Sequence, residues 1–185
     1  MKFTPTALQG VVLIEPRVFP DERGFFLESY QKQRFSEAGI PFEFVQDNHS
    51  KSCQGVLRGL HYQIKQPQGK LLRVVVGEIF DVAVDLRRNS PDFGKWFGTY
   101  LSAENKRMIW VPPGFAHGFY VTSAETELLY KATDYYAPQW ERTILWNDPQ
   151  LDIPWPLKDE GPTLSPKDAA GSLLSAAEVY EDLYE

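Results

Sequence analysis

Short apolar runs alternate with turn residues along most of the chain. Seven runs are rich in Val, Ile, Tyr, Phe and Trp, which favours β-strands. They occupy positions 10–16, 71–76, 79–86, 96–102, 107–111, 117–122 and 127–136. No helical pattern connects one run to the next. The sequence therefore predicts a mainly β fold, an antiparallel sandwich or barrel.

Two short helices are predicted outside these strands. The first covers residues 31–38 and ends at Gly39, since glycine commonly follows the last helical residue. The second begins at Ser165, with Pro166 at the first helical position and Asp168 at the third, the pattern of a capping box. The helices are few and short, so they do not change the predicted fold class.

Composition narrows the possible functions. The 185 residues are 43% hydrophobic, enough for a core, and we expect one domain over 1–185 with an irregular, proline-rich strap at 148–162. The net charge of -6 argues against nucleic-acid binding, which depends on basic residues. The single cysteine, Cys53, allows no internal disulfide, and no apolar run is long enough to span a bilayer. We therefore expect a cytoplasmic protein without membrane contact.

The three histidines are the first candidates for metal ligands. His61 lies in a segment with strand-like alternation, His117 lies between a turn and a strand, and His49 lies in a polar stretch expected to be a loop. Barrel metalloenzymes often use a His-x-His pair, but Gln63 occupies the second position here. The spacing gives no support for a metal, and none is predicted.

Acid–base chemistry without a metal is the other reading. His61 could serve as a base, Asp168 as the carboxylate behind it, Tyr130 as a proton donor and Lys70 as a cation for an enolate oxygen. Three of them also have ordinary structural interpretations: Tyr130 as a core tyrosine, Asp168 as the acid at a helix start and Lys70 as an exposed turn lysine. Sequence distance alone does not bring the four together.

A family resemblance joins these residues. The chain resembles dTDP-4-dehydrorhamnose 3,5-epimerases, which are cupin-fold enzymes of dTDP-L-rhamnose synthesis. The resemblance rests on an ordered series of blocks that covers nearly the whole chain: RGFFLE (23–28), QDNHS (46–50), LRGLHYQ (57–63), GKLLRV (69–74), PGFAHGF (113–119), YKATDYY (130–136) and LSPKD (164–168).

The resemblance implies a cupin-like antiparallel barrel or jelly roll and a mechanism without cofactors. The substrate would be a dTDP-linked 4-keto-6-deoxy sugar, whose ketone acidifies the C–H bonds at C3 and C5. His61 would remove each proton with Asp168 behind it, Lys70 would stabilise the enolate, and Tyr130 would return a proton to the opposite face. The resemblance also implies a homodimer.

Further residues are assigned to substrate binding by the same resemblance. Arg23, Arg58 and Lys167 are implied for the diphosphate, although solvated surface charge is the ordinary reading of such residues. Tyr136 would limit movement of the sugar. The full binding set is Arg23, Phe26, Glu28, Gln46, Asn48, Arg58, His117, Tyr136, Glu141 and Lys167.

Two local features bear on these assignments. Side chains alternate along a regular strand, so Arg58 and His61 would face opposite sides. If both line one pocket, the strand must be irregular between them, and Gly59 is where we expect it. The chain also departs from the family pattern after Glu141, where Thr143 replaces a glycine, which leaves the placement of Glu141 open.

Three functions remain to be separated. The first is double epimerisation at C3 and C5. The second is epimerisation at one carbon on the same fold, as in some relatives that make antibiotic sugars. The third is binding of a sugar nucleotide without catalysis, against which the joint presence of His61, Asp168, Lys70 and Tyr130 argues.

Overall fold

Two antiparallel sheets and a separate hairpin make up the molecule. The computed structural model describes residues 1–181 and 183, and within them it contains thirteen strands. The strands are β1 (Lys2–Pro5), β2 (Val12–Glu15), β3 (Val18–Asp21), β4 (Gly24–Leu27), β5 (Gln46–Cys53), β6 (Leu57–Gln63), β7 (Lys70–Val76), β8 (Glu78–Asp85), β9 (Trp96–Ser102), β10 (Met108–Val111), β11 (Phe115–Val121), β12 (Glu125–Ala132) and β13 (Glu141–Thr143).

The strand order leaves a core between two sheets. The six-stranded sheet has the order β1-β2-β10-β7-β12-β5, the five-stranded sheet has the order β13-β6-β11-β8-β9, and β3 pairs only with β4. A buried cluster joins the sheets through Leu72 and Val74 of β7, Ile79 of β8 and Phe115 of β11. This arrangement confirms the predicted mainly β, cupin-like antiparallel fold with a few short helices.

All seven predicted strands are present, with ends shifted by a few residues. Six further strands were not among them, namely β1, β3, β4, β6, β13 and the strongly polar β5. The placement of His49 in a loop was wrong, because His49 lies within β5 and opposite Leu129 of β12. Eight residue pairs join β5 to β12 in continuous register. Pairing with an established sheet outweighs low strand propensity, which is why sequence alone misses such a strand.

Both predicted helices form. Helix α1 (Lys32–Glu37) has Gln31 as its N-cap, and helix α2 (Pro166–Ala169) has Ser165, whose hydroxyl accepts a hydrogen bond from the Asp168 backbone N–H. The carboxylate of Asp168 accepts from the Ser165 hydroxyl at 2.6 Å. The carboxylate therefore does not accept a hydrogen bond from the backbone N–H of Ser165, as a capping box requires. It contacts His61 of β6 instead.

Irregular segments cover the outer face of the five-stranded sheet, which is turned away from the core between the two sheets. Residues 148–162 contain no helix or strand and bury Leu151 and Trp155 in a second apolar cluster on this face. Near the C-terminus, the hydroxyl of Tyr180 donates to the backbone oxygen of Gln63 at 2.5 Å and ties this segment to β6. Two 3₁₀ turns, Pro138–Trp140 and Leu174–Ala176, complete the structure. In the described part of the chain, no helix has the length and apolarity needed to cross a membrane.

Candidate active site

Strand β6 carries the irregularity that the sequence predicts at Gly59. Phe119 of β11 pairs with Arg58, and His117 pairs with His61, so three residue steps on β6 oppose two on β11. The extra residue changes the alternation and lets Arg58 and His61 line the same cavity. Gly59 has φ of +135°, and a Cβ there would lie 2.5 Å from the backbone of β11. Only glycine fits this position.

His61 and Asp168 form a hydrogen-bonded pair across 107 residues of sequence. The Nε2 atom of His61 contacts Oδ1 of Asp168. The same carboxylate accepts from the backbone N–H of Gly59 at 3.3 Å and from the hydroxyl of Ser165 at 2.6 Å. The acid that the resemblance places behind His61 is therefore fixed by the start of α2 and by the bulge in β6.

The surroundings of this pair set its protonation. Burial lowers the pKa of His61, although Asp168 acts in the opposite direction. Burial alone would raise the pKa of Asp168, but hydrogen bonds from His61 and Ser165 outweigh it and lower the pKa to about 2. At neutral pH the pair is therefore a neutral imidazole and a carboxylate. With Nε2–H donated to Asp168, the lone pair of Nδ1 is free to accept a proton.

A second histidine–aspartate pair lies beside the first. Nε2 of His117 on β11 lies 2.8 Å from Oδ2 of Asp81 on β8, and Asp81 is 0% exposed. Sequence reasoning named His117 and missed Asp81. A local signal was present, because Asp81 is the one charged residue within the apolar run of β8 from 79 to 84.

A cavity of about 340 Å³ brings ten of the fourteen predicted site residues together. From the catalytic set it is lined by His61, Lys70 and Tyr130, with Asp168 behind His61. From the binding set it is lined by Gln46, Asn48, Arg58, His117, Tyr136, Glu141 and Lys167. The remaining lining residues, which the sequence analysis did not assign to the site, are Ser50, Gln68, Leu72, Phe119 and Leu128.

Lys70 is not an exposed turn lysine. It begins β7, where it pairs with Val111 and Ala132, and its side chain lines the cavity. The preceding Gly69 packs on Trp110, where a Cβ would come within 2.4 Å of the indole. Burial lowers the pKa of Lys70 to about 8. Most molecules thus keep a charged but weakly solvated ammonium group in the cavity at neutral pH.

Tyr130 faces the cavity from the sheet opposite His61. It lies on β12 between Leu72 of β7 and Asn48 of β5 and also packs against the core between the sheets. Burial raises the pKa of its phenol, which therefore stays protonated at neutral pH. Tyr130 thus makes the core contact that strand alternation predicts and also places a proton donor on the cavity wall opposite His61.

Three polar side chains form a chain of contacts along the cavity. The hydroxyl of Tyr136 donates to Oε2 of Glu141 at 2.9 Å, and Nζ of Lys167 lies 2.7 Å from Oε1. Tyr136 follows the end of β12, and its backbone N–H donates to Gln46 at 2.9 Å. Glu141 begins β13, which pairs regularly with β6 through Thr143, so the threonine does not disturb this strand.

Comparisons with known proteins agree on one family. The family model for dTDP-4-dehydrorhamnose 3,5-epimerase matches residues 5–176. The chain belongs to this family. The epimerase of Pseudomonas aeruginosa is 61% identical over 181 residues, which cover 97% of this chain and 99% of the relative.

Solved structures and more distant relatives extend this finding. The dTDP-6-deoxy-D-glucose-3,5-epimerase of Legionella pneumophila Philadelphia 1, solved with dTDP-4-keto-L-rhamnose, superposes with a TM-score of 0.95 at 53% identity. The alignment covers 100% of this chain and 98% of that one. A dTDP-4-dehydrorhamnose 3-epimerase of Streptomyces niveus is 40% identical over 96% of this chain and 86% of its own length. The chain is an isomerase of the epimerase class.

Three residues that the epimerase resemblance assigns to substrate binding lie outside the cavity. Arg23, at the turn between β3 and β4, pairs with Asp21 at 2.5 Å. Phe26 on β4 is 69% exposed, and Glu28 pairs with Arg34 of α1 at 3.0 Å. Phe26 and Glu28 line a separate groove of about 630 Å³ between the hairpin and α1. Within one chain, the structure does not bring these three residues to the catalytic pair.

Residues that could bind a metal are dispersed. In the described residues, His, Cys, Asp and Glu side chains do not gather in any group of three or more with the geometry to hold an ion. His61 and His117 each contact a single carboxylate instead. The donor set of the cavity suits proton transfer.

Proposed function

We propose that the chain epimerises C3 and C5 of a dTDP-linked 4-keto-6-deoxy-D-glucose by acid–base chemistry, giving dTDP-4-dehydro-L-rhamnose. One observation carries the proposal: His61 reaches the cavity from the five-stranded sheet, while Tyr130 and Lys70 reach it from the six-stranded sheet. A base and an acid on opposite walls are what inversion at carbon requires.

The first step is removal of a proton next to the ketone. Nδ1 of His61 accepts the proton from C3 or C5, and the C–H electron pair forms a C=C bond as the carbonyl electrons move to O4. Asp168 stabilises the resulting imidazolium through Nε2–H. Each positioned acid or base typically accelerates such a step about 10²–10⁴-fold.

The second step returns a proton to the other face. Lys70, as an ammonium group, stabilises the negative O4 of the enolate. Tyr130 donates its phenolic proton to carbon while the C=O bond re-forms, which inverts the centre. His61 then loses a proton and Tyr130 regains one, so the reaction consumes no oxidant or reductant. We infer that no cofactor takes part.

The nucleotide diphosphate would bind at the basic side of the cavity. Arg58 and Lys167 offer cationic donors there, and Gln46 and Asn48 offer amides. Arg58 is also oriented by Ser52, whose hydroxyl accepts from Nε at 3.0 Å. These polar groups support the binding roles implied by the resemblance, with His117 near the sugar.

We infer that the hairpin of β3 and β4 serves the site of a second copy in a homodimer. The hairpin exposes Phe19, Phe25 and Phe26 by 46%, 59% and 69%, and it pairs with neither sheet. Exposed apolar side chains concentrated on one such element indicate protein contacts. A symmetric dimer could bring Arg23, Phe26 and Glu28 to the partner's nucleotide, which their own chain does not allow.

We also infer one domain over residues 1–185 and a cytoplasmic location. The continuous core between the two sheets supports the first inference. The single free thiol, Cys53, is compatible with a reducing compartment and supports the second.

Epimerisation at a single carbon is the competing function. The 3-epimerase of Streptomyces niveus has 40% identity to this chain, so the fold alone does not separate the two reactions. Incubation with the dTDP keto sugar in deuterated water separates them. Double epimerisation predicts deuterium at C3 and C5, whereas label at one carbon supports the competitor. No label at either carbon refutes both.

A further inference from the structure

Asp81 is an unusual buried carboxylate. It lies in the middle of β8, between β11 and β9, and is 0% exposed. Its Oδ2 contacts His117, but its Oδ1 is buried without a hydrogen-bond partner among the described residues. A buried charged oxygen without a partner is costly and needs an explanation.

Lys70 lines the same cavity as His117, the hydrogen-bond partner of Asp81. Burial favours its neutral amine, and Lys167 of α2 acts in the same direction. Glu141 of β13 and Asp81 of β8 act in the opposite direction and favour the ammonium form. The charge of Lys70 in turn disfavours a protonated His61. Asp81 is thus one of two carboxylates, with Glu141, that favour the charged form of Lys70, and it is the one that lies behind the cavity lining.

We propose that Asp81 is a positioning residue of the epimerisation, which fixes the ring of His117 and keeps Lys70 an ammonium ion at the C4 oxygen. Asp81 does not line the cavity, so it acts through these two side chains and does not touch the substrate. An ammonium group stabilises an enolate oxygen better than a neutral amine does. The inference rests on the proposed function and adds a residue that the sequence motifs do not include.

The test is the pH dependence of kcat/KM in Asp81→Asn and Asp81→Ala. Asparagine keeps the shape of the side chain and removes its charge, and alanine is a second uncharged variant that leaves no amide to pair. An opposite charge nearby typically shifts a pKa by about one unit or more. We therefore expect the basic limb of this pH profile, which the wild type should show near pH 8, to move down by about one pH unit or more in both variants.

His117→Gln is the matched control. It removes the imidazole but keeps the Asp81 charge, so kcat should fall while the basic limb stays at the wild-type pH. The proposal is overturned if the basic limb of kcat/KM stays in place in the uncharged Asp81 variants. It is also overturned if that limb moves equally in His117→Gln. A purely structural role for Asp81 would lower activity or stability without moving the limb.

Failure of the proposed function gives a different result. If the wild type does not exchange the C3 or C5 hydrogen of the keto sugar in deuterated water, the epimerase mechanism itself is wrong. If the wild type exchanges and the limb does not move in the Asp81 variants, only the role of Asp81 is wrong.

Discussion

The cavity contains two histidine–aspartate pairs that differ in their surroundings. The Asp168 carboxylate accepts hydrogen bonds from Gly59 and Ser165 in addition to its contact with His61. The Asp81 carboxylate has His117 as its hydrogen-bond partner and one buried oxygen without any among the described residues.

The difference assigns different tasks to the same pair of residue types. Hydrogen bonds from Gly59 and Ser165 stabilise the Asp168 carboxylate. Asp168 can therefore stay ionised while His61 gains and loses a proton. Asp81 lacks such donors, and its negative charge acts over a distance on Lys70. One pair is suited to moving a proton, and the other is suited to holding a fixed charge.

Replacing the base gives the largest expected effect. His61→Asn should lower the rate of C–H exchange about 10⁴-fold, the upper end of the range for a positioned base. Affinity for dTDP should change little, because His61 has no assigned contact with the nucleotide. His117→Asn should slow exchange less. The measurements are deuterium incorporation by NMR and dTDP binding by calorimetry. If His61→Asn exchanged hydrogen at the wild-type rate, the assignment of His61 as the base would be wrong.

Removing the charge behind His61 should have the next largest effect. Asp168→Asn can keep its contacts with Gly59 and Ser165, but it no longer stabilises the imidazolium. We expect a loss of about 10²–10³-fold in kcat. The carboxylate raises the pKa of His61, so its loss lowers that pKa and moves the acid limb of kcat/KM to lower pH.

This variant sharpens the comparison between the two pairs. Wild-type kcat/KM should be bell-shaped, with an acid limb from His61 that lies below the usual histidine range and a basic limb near pH 8 from Lys70. Asp168→Asn should move the acid limb, whereas the Asp81 variants should move the basic limb. Movement of the same limb in both would contradict the separate roles.

Sequence reasoning predicts the strands better than the site. Alternation and turns give the seven apolar strands, and the conflict between Arg58 and His61 correctly places the irregularity at Gly59. The pairing of Asp168 with His61 spans 107 residues, and only the resemblance indicated it. Lys70 reaches the cavity because β7 pairs with β10 and β12, a tertiary arrangement without a local pattern.

Mixing two defective variants tests whether the hairpin acts in the partner. Arg23→Ala/Phe26→Ala should bind substrate poorly, and His61→Asn should lack the base. If the hairpin serves the second copy, each mixed dimer contains one intact site. Random assembly makes half the dimers mixed, so activity should rise to about a quarter of wild type. The measurement is the exchange rate after co-expression.

A matched mixture controls for this result. Lys167 and His61 line the same cavity of one chain, so Lys167→Ala mixed with His61→Asn leaves a defect in every site. That mixture should stay as inactive as its components. If the hairpin mixture also gains nothing, the hairpin does not complete the partner's site.

The smallest expected effect distinguishes two roles of Glu141. A carboxylate in a diphosphate site repels the ligand unless it serves another purpose, and here both its oxygens are engaged by Tyr136 and Lys167. Glu141→Gln can keep both contacts without the charge. We expect dTDP to bind about two- to fivefold more tightly, the size of a partly exposed charge interaction. Glu178→Gln is the matched control, since Glu178 pairs with Arg142 and does not line the cavity. Weaker dTDP binding in Glu141→Gln would instead indicate direct contact between Glu141 and the ligand.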